Sequence, residues 1–312
     1  MAASVDTPPL GGGEQLAAAR PRSFRRYGRR LADFARLMRL NRPIGIWLLM
    51  WPMLWALWIA AGGRPHGKVL LIFLLGVVVM RSAGCVVNDL ADRNLDPFVR
   101  RTRERPLAAR RISPYEALWL FAILIGLALY LVTRLDVLSV KLSFIGAGLA
   151  VSYPFFKRFF PLPQFYLGFA FGWAVPMAFA AQLGHVPRVG WVLLFITVLW
   201  AAIYDTIYAI ADRPDDLKLG VKSSAILFAD MDKLIIGAMQ FLMLFALLLV
   251  GQGLRFGHWY YYGLAAAAAM FIYQQWLIRD RVPAACVRAF QNNNYVGMAI
   301  FVGVLLEYFV KR

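Results

Sequence analysis

Long apolar segments alternate with short polar segments from residue 43 to the end of the chain. The apolar segments are about 20 residues long, which is the length of an α-helix that crosses the hydrocarbon core of a bilayer. The pattern therefore predicts an all-α membrane protein. It predicts nine spans, which are Ile44–Ala61, Val69–Val87, Tyr115–Val132, Val137–Tyr153, Gln164–Gln182, Val189–Tyr208, Leu234–Val250, Trp259–Ile278 and Tyr295–Phe309.

The N-terminal segment differs from the rest of the chain. Residues 1–35 contain prolines, consecutive glycines and clustered arginines, and they lack the apolar core of a secretory signal. They predict a disordered basic tail before a single transmembrane domain over residues 36–312. A mitochondrial transit peptide is the alternative, although Asp6 and Glu14 argue against it. Residues 36–45 predict an interfacial helix that enters the first span, because Pro43 is tolerated near a helix start.

Composition supports a membrane protein, and charge gives its orientation. The chain is 61% hydrophobic and carries 34 basic against 17 acidic residues, a net charge of +17. The basic residues concentrate in alternate loops between the predicted spans, so we expect those loops and the N-terminus to be cytoplasmic and expect no nucleic-acid partner. The predicted location is the inner membrane of a bacterium, with the mitochondrial inner membrane as the alternative. The two cysteines have no spacing typical of a disulfide framework or a zinc site.

Acidic residues cluster at the end of the second predicted span. Asp89, Asp92 and Asp96 stand at i, i+3 and i+7, which is one face of a helix, and Asn88 lies one turn before Asp92. Three carboxylates on one face repel unless a cation binds them, and hard oxygen ligands suit Mg²⁺. The alternative is a helix end that carries solvated surface charge.

A second acidic cluster closes the sixth predicted span. Asp205 and Asp212 stand at i and i+7 with Tyr208 between them. Both clustered spans run toward the cytoplasm, so the two clusters should face each other across a common space. Pro214 predicts the end of this helix, which would place Asp215 and Asp216 in a cap segment.

These features suit a substrate that is both strongly anionic and strongly apolar. A polyprenyl diphosphate in a lipid bilayer is such a molecule. Carboxylates can hold Mg²⁺ ions that bridge to a diphosphate, while lysines and arginines neutralise its other oxygens. The metal would stabilise the leaving diphosphate when the allylic bond ionises.

Several motifs together resemble the UbiA superfamily of intramembrane prenyltransferases. They are N-D-L-A-D-R-N-L-D followed by R-R-T-R-E-R-P-L, then Y-D-T-I-Y-A-I-A-D-R-P-D-D-L-K-L-G-V-K-S-S-A-I-L-F, R-L-N-R-P-I-G, and S-Y-P-F-F-K-R with L-P-Q nearby. The resemblance covers the chain from Arg36 onward. It implies nine transmembrane helices around a central lipid-filled cavity with a cytoplasmic cap.

The resemblance also implies an activity. A polyprenyl chain would pass from polyprenyl diphosphate to the ring of 4-hydroxybenzoate, ortho to the hydroxyl, in a Mg²⁺-dependent step of ubiquinone biosynthesis. The alternatives are a sister enzyme that acts on dihydroxynaphthoate or haem, and a non-catalytic lipid carrier. A carrier would be expected to hold its charges near the bilayer midplane, whereas these gather at one face.

Roles for individual residues follow from the resemblance. Asp89, Asp92 and Asp96 would form one Mg²⁺ site with Asn88, and Asp205 and Asp212 the other, with Asp216 reaching a metal or orienting a lysine. Six basic residues are candidates for diphosphate contacts, and the alternative is that they serve only to keep their loops cytoplasmic. They are Lys157, Arg158, Lys218, Lys222, Arg93 and Arg103.

The acceptor contacts are also implied by resemblance. Arg42 is the candidate for the carboxylate of the aromatic acid, although many relatives have Asp where this chain has Asn41. Tyr204 and Tyr208 could stack on the acceptor ring or serve only in packing.

The predicted orientation is testable by labelling. A cysteine introduced at position 218 should react with an impermeant reagent only from the cytoplasmic side, and one at position 311 only from outside, because basic loops stay cytoplasmic. Reaction of position 218 from outside alone would reverse the topology.

Overall fold

The computed structural model describes residues 22–98, 102–156, 160, 162–219 and 223–311, without the side chains of residues 22–26, 215 and 219. Twelve α-helices occupy most of these residues, and no strand occurs among them. Short 3-10 turns lie at Asp96–Phe98 and Ala229–Met231. The helices are α1 (Arg22–Leu37), α2 (Ile44–Ala60), α3 (Gly67–Asp92), α4 (Pro114–Val132), α5 (Val137–Phe156), α6 (Pro163–Gly172), α7 (Ala174–Leu183), α8 (Arg188–Leu219), α9 (Ser224–Phe228), α10 (Asp232–Gly253), α11 (His258–Ile278) and α12 (Pro283–Val310).

The helices confirm a membrane protein. Within the described residues, 7 helical units are long and apolar enough to cross a bilayer. One of them joins α6 and α7 across a break at Trp173, where Pro176 cannot donate the helical hydrogen bond to Gly172. The predicted spans Ile44–Ala61 and Trp259–Ile278 coincide with α2, which is short at 17 residues, and with α11, which is long enough but less apolar. A total of nine spans therefore stays a prediction.

The membrane helices follow one another around a closed ring. Each contacts the next in the order α2, α3, α4, α5, α6 with α7, α8, α10, α11 and α12, and α12 packs back on α2. Two buried tryptophans tie α12 to the facing helices, because Trp200 donates to Asn293 Oδ1 at 3.0 Å and Trp55 donates to the carbonyl of Gly297 at 3.0 Å. A buried polar group needs such a partner, so these bonds fix the rotation of α12 in the ring.

The N-terminal predictions are wrong within the described residues. Residues 22–35 belong to α1 instead of a disordered tail, because α1 buries Leu37 against Val79 and Ala83 and pairs Asp33 with Arg111 at 3.2 Å. Residues 1–21 of the predicted tail lie outside the described part of the chain.

The predicted interfacial helix over residues 36–45 is also wrong. The α1 helix ends at Leu37, and the chain turns at Arg39, whose φ of 60° is left-handed and incompatible with a continuing right-handed helix. Helix α2 then begins at Ile44.

Two glycines allow α11 and α12 to approach closely. A Cβ added at Gly263 would lie 2.6 Å from the carbonyl oxygen of Ala299 and 2.9 Å from the Cα of Gly303. Small residues at such crossings let two backbones come into contact, which is the main source of packing energy between membrane helices. The α11–α12 contact is the most extensive in the ring.

Replacing Gly263 should therefore loosen the ring. We expect Gly263→Ala to lower the free energy of unfolding by about 1 to 3 kcal/mol, because the new methyl group overpacks against backbone. Gly126→Ala is the matched control, since a Cβ there has no neighbour within 4 Å. Thermal unfolding of the detergent-solubilised protein measures both, and equal stability of the two variants would contradict this account of the crossing.

Candidate active site

The first acidic cluster lies at the end of α3. The helix continues past the predicted boundary at Val87 and includes Asp89 and Asp92. Asp96, however, is not on the helix as predicted, and it begins the following 3-10 turn. Continuation of the helix would place Pro97 in a turn where its ring clashes with the preceding carbonyl groups, so α3 ends before it.

Arginines hold two of these three carboxylates. Asp89 is only 1% exposed and receives hydrogen bonds from Arg39 at 2.9 Å and from Arg105 at 3.0 Å. The same Arg105 donates to Asp96 at 2.9 Å. Guanidinium groups therefore occupy the position beside Asp89 and Asp96 where the sequence predicts a metal. Asp92 accepts a hydrogen bond of 3.2 Å from Asn88.

The second acidic cluster lies on α8, which is longer than predicted. The prediction that Pro214 ends this helix is wrong, since α8 continues to Leu219. A proline so close to the helix end removes one backbone hydrogen bond, and a single lost bond does not stop the last turn. As a result Asp205, Asp212 and Asp216 stand at i, i+7 and i+11 on one helix face.

Both clusters line one cavity of about 1010 Å³, as the sequence predicts for the two helix ends. The cavity also follows α3 back to Ile72, which lies about 30 Å along the helix from Asp92 at 1.5 Å per residue. Its wall is therefore charged at one end and apolar along most of the membrane thickness. The lining acids are Asp89, Asp92, Asp96, Asp205, Asp212 and Asp216.

Three arginines line the same cavity. Arg39 and Arg105 are those that hold Asp89, and burial lowers the pKa of Arg39 from its ordinary value while Asp89 opposes that shift. The third is Arg81, two helical turns before Asn88, whose guanidinium carbon lies 5.5 Å from the ring centre of Phe171.

Gly45 of α2 gives Arg81 its space. A Cβ added at Gly45 would collide with the guanidinium group of Arg81. The R-P-I-G motif at the start of α2 therefore acts here through its glycine, which admits a cation to the cavity wall.

The other predicted contact residues lie in different places. Tyr204 and Tyr208 line the cavity and pack edge-on against Phe290, and their role toward an acceptor ring stays a prediction. Arg93, Arg103 and Lys218 are exposed and are not among the lining residues. Lys157, Arg158 and Lys222 lie outside the described residues.

Arg42 is not in this cavity. It lines a second, more open cavity of about 810 Å³ together with Arg288 and Tyr295. The turn at Arg39 causes this difference, because it directs Arg39 toward Asp89 and leaves Arg42 exposed at the start of α2.

Sequence reasoning missed the three lining arginines. A signal was present for Arg81, because it interrupts an apolar run from Val77 to Val87, and a charge inside a membrane span marks a functional site. No local pattern distinguishes Arg105 from the other arginines of its loop, and only the tertiary structure selects it.

The oxygen ligands at the charged end are of the kind that Mg²⁺ prefers, but the described side chains do not form a preassembled metal site. Hard carboxylate and amide oxygens line the charged end, and the lining acids outnumber the lining arginines within the described residues. An anionic substrate would be repelled there unless further cations enter with it. Yet no group of three His, Cys, Asp or Glu side chains in the described ranges is close enough to hold a metal.

These features define a class of protein, a helical membrane protein whose ring of helices encloses a cavity with a charged end and an apolar wall. Residues 49–301 match the model of the UbiA prenyltransferase family. The 4-hydroxybenzoate octaprenyltransferase of Alkalilimnicola ehrlichii is 56% identical over 275 residues, which cover 88% of this chain and 94% of that protein. The protein of the same name from Coxiella burnetii (strain CbuK_Q154) is 54% identical over 278 residues, covering 89% and 97%.

Solved structures agree with these relatives. A UbiA homolog from Aeropyrum pernix K1 superimposes with a TM-score of 0.74 at 25% identity, covering 83% of this chain and 97% of that one. A UbiA homolog from Archaeoglobus fulgidus, bound to GPP and Mg²⁺, has the same fold with a TM-score of 0.65 at 16% identity, covering 88% and 99%. The chain belongs to the UbiA prenyltransferase family.

The role of Arg105 is open to a stability test. Arg105→Ala should lower the free energy of unfolding by about 3 to 5 kcal/mol, because it leaves buried Asp89 and Asp96 without their shared cation. Arg105→Lys should recover part of the loss. The control is Arg103→Ala, since Arg103 is 61% exposed and its ion pair with Glu104 is long at 3.9 Å. Thermal unfolding in detergent decides, and equal shifts for Arg103→Ala and Arg105→Ala would rule out a bridging role.

Proposed function

We propose that this protein transfers a long polyprenyl chain from polyprenyl diphosphate to the ring of 4-hydroxybenzoate, ortho to the hydroxyl, and releases diphosphate in a Mg²⁺-dependent step of ubiquinone biosynthesis. The observation that carries the proposal is the single cavity, in which two acidic helix ends and an apolar wall share one space. The names of the relatives at 54% and 56% identity support the acceptor and the class of reaction.

The two ends of the cavity suit the two parts of the donor. The apolar wall, which includes Phe73 and Leu135, takes the polyprenyl chain, because that chain is itself apolar. The charged end takes the diphosphate, where Asp92, Asp205 and Asp212 offer oxygen ligands for divalent cations. A bound Mg²⁺ would supply charge stabilisation for the leaving diphosphate.

The chain's own residues orient the reactants and exclude water. Arg39 and Arg105 hold Asp89 and Asp96 in place, so the charged end does not expand by repulsion between acids. The apolar wall keeps water from an allylic cation, which would otherwise be captured as an alcohol.

The acceptor carboxylate is assigned to Arg81 in place of Arg42. Arg81 lines the cavity and Arg42 does not. A planar guanidinium group binds a carboxylate through two parallel hydrogen bonds, so Arg81 can fix the benzoate while its ring faces the allylic carbon.

The membrane assignment is part of the same proposal. The helices from α2 to α12 act as one domain in the inner membrane of a bacterium, with the charged end of the cavity and the N-terminus toward the cytoplasm. The basic loop from Arg93 to Arg111 and the arginines of α1 support this orientation. The cytoplasm would supply both the anionic acceptor and Mg²⁺.

The proposal is tested by removing one acid from each helix end. Asp92→Asn and Asp205→Asn should each lower turnover by roughly a hundredfold or more, because the loss of either half-site removes stabilisation of the leaving group. The assay is transfer of the octaprenyl chain from octaprenyl diphosphate to labelled 4-hydroxybenzoate in membranes, with EDTA abolishing and Mg²⁺ restoring activity.

Two features make this assay specific. Asparagine keeps the shape of aspartate, and the test leaves intact Asp89, whose carboxylate is held by Arg39 and Arg105. Asp280→Asn is the control, because Asp280 is 68% exposed and pairs with Arg279 away from the cavity. Near-normal turnover of Asp205→Asn would refute the two-cluster site.

A further inference from the structure

One buried amide on the cavity wall has an open hydrogen-bonding atom. Gln164, in the first turn of α6, is 3% exposed and lines the cavity. Its Oε1 atom is buried and has no hydrogen-bond partner among the described residues. A buried carbonyl oxygen without a partner is unfavourable, so in native proteins such an atom accepts a hydrogen bond from water or from a ligand.

The orientation of this amide is fixed by its other end. Gln164 Nε2 donates to Ser224 Oγ at 2.7 Å, and Ser224 Oγ donates its single proton to Thr206 Oγ1 at 3.2 Å. Ser224 must therefore accept from Gln164, which assigns the nitrogen to Ser224 and leaves the oxygen as the open atom. The chain of bonds runs from α6 through α9 to α8, so the amide is held by rigid elements.

The open atom selects the chemistry of its partner. A carbonyl oxygen accepts hydrogen bonds and repels anions, so neither a diphosphate nor a carboxylate can bind Gln164 Oε1. An apolar prenyl chain leaves it unsatisfied. A ligand that satisfies this atom must carry an O–H or N–H donor, and the rest of the ligand must be apolar enough to fit the cavity wall. A phenol is such a group.

The position of Gln164 agrees with the geometry of the proposed reaction. Thr206, at the end of the bond chain, follows Asp205 directly in α8. In transfer ortho to a hydroxyl, the phenolic carbon is bonded to the reacting carbon, so the hydroxyl must lie near the charged end that holds the diphosphate. Gln164 reaches the cavity at that end.

A second open atom belongs to Ser223, which directly precedes Ser224 in the chain. Ser223 Oγ is also buried, also lines the cavity, and also has no partner among the described residues. Its hydroxyl can donate to a phenolic oxygen whose own proton is donated to Gln164. The two atoms together match both hydrogen-bonding functions of one phenol.

We propose that Gln164 is the specificity residue that accepts the hydrogen bond from the phenolic hydroxyl of the acceptor. The inference rests on the proposed function and adds to it the group that distinguishes a hydroxybenzoate from other aromatic acids. The bond orients the ring and increases electron density at the carbon ortho to the hydroxyl. The new C–C bond forms there, the allylic C–O bond breaks with its electron pair leaving on the diphosphate, and the proton of the attacked ring carbon passes to the released diphosphate.

The test is equilibrium binding without a donor, so that no turnover is required. Labelled 4-hydroxybenzoate binds the detergent-solubilised protein in competition with 4-fluorobenzoate, which has a similar shape but no O–H donor. Wild-type protein should prefer 4-hydroxybenzoate by about tenfold, which is typical of one buried hydrogen bond. Gln164→Met should bring the two affinities within about twofold of each other by weakening only the phenol.

Two variants separate this role from a structural one. Gln182→Met is the matched control, because Gln182 Nε2 is also buried without a partner but Gln182 does not line the cavity, so the preference should persist. Gln164→Asn keeps the amide on a side chain one methylene shorter, so its carbonyl oxygen no longer reaches the phenol. This variant should also lose the preference for 4-hydroxybenzoate, and it keeps the test valid if Gln164→Met does not fold.

The outcomes distinguish the inference from the proposed function. An unchanged preference in both Gln164 variants, or no preference in wild-type protein, overturns the role of Gln164 even if prenyl transfer occurs. Absence of prenyl transfer with a preference that Gln164→Met abolishes supports the phenol site and overturns the proposed reaction instead.

Discussion

The structure depends on compensation of a carboxylate that is almost completely removed from water. Asp89 is 1% exposed at the end of α3, and an unpaired buried charge there would be severely destabilising. Its partners come from two distant segments, Arg39 in the turn before α2 and Arg105 in the loop before α4. Both segments must therefore fold over the end of α3. The two segments and the end of α3 together form the charged end of the cavity.

The same compensation divides the cavity into two regions. Arginines neutralise Asp89 and Asp96, while the acids of α8 line the same cavity. Away from this end the wall is apolar, so a long hydrocarbon chain and a multiply charged group can occupy one space without either entering an unfavourable medium. Membership of the UbiA prenyltransferase family agrees with this division.

Two prolines show why helix ends were hard to predict. Pro97 directly follows Asp96, Pro214 follows Asp212 by two residues, and local rules treat the two prolines alike. Helix α3 ends before Pro97, and Asp96 turns back to share Arg105 with Asp89. Helix α8 continues through Pro214, which brings Asp216 onto the face of Asp212. The difference lies in the contacts available to each segment. After α3, Asp96 gains an ion pair with Arg105 by leaving the helix. In α8, the proline costs only one backbone hydrogen bond, and the helix continues.

The sequence by itself determined the membrane class, the helical segments and the two acidic helix ends, because apolar length and helical period are local properties. It also indicated the family through long motifs. Only the tertiary structure selected Arg105 from a loop rich in arginines, directed Arg39 inward and left Arg42 outside the cavity. It alone exposed the open oxygen of Gln164 on the cavity wall. Those outcomes depend on which distant groups share a buried space, and no spacing along the chain encodes that.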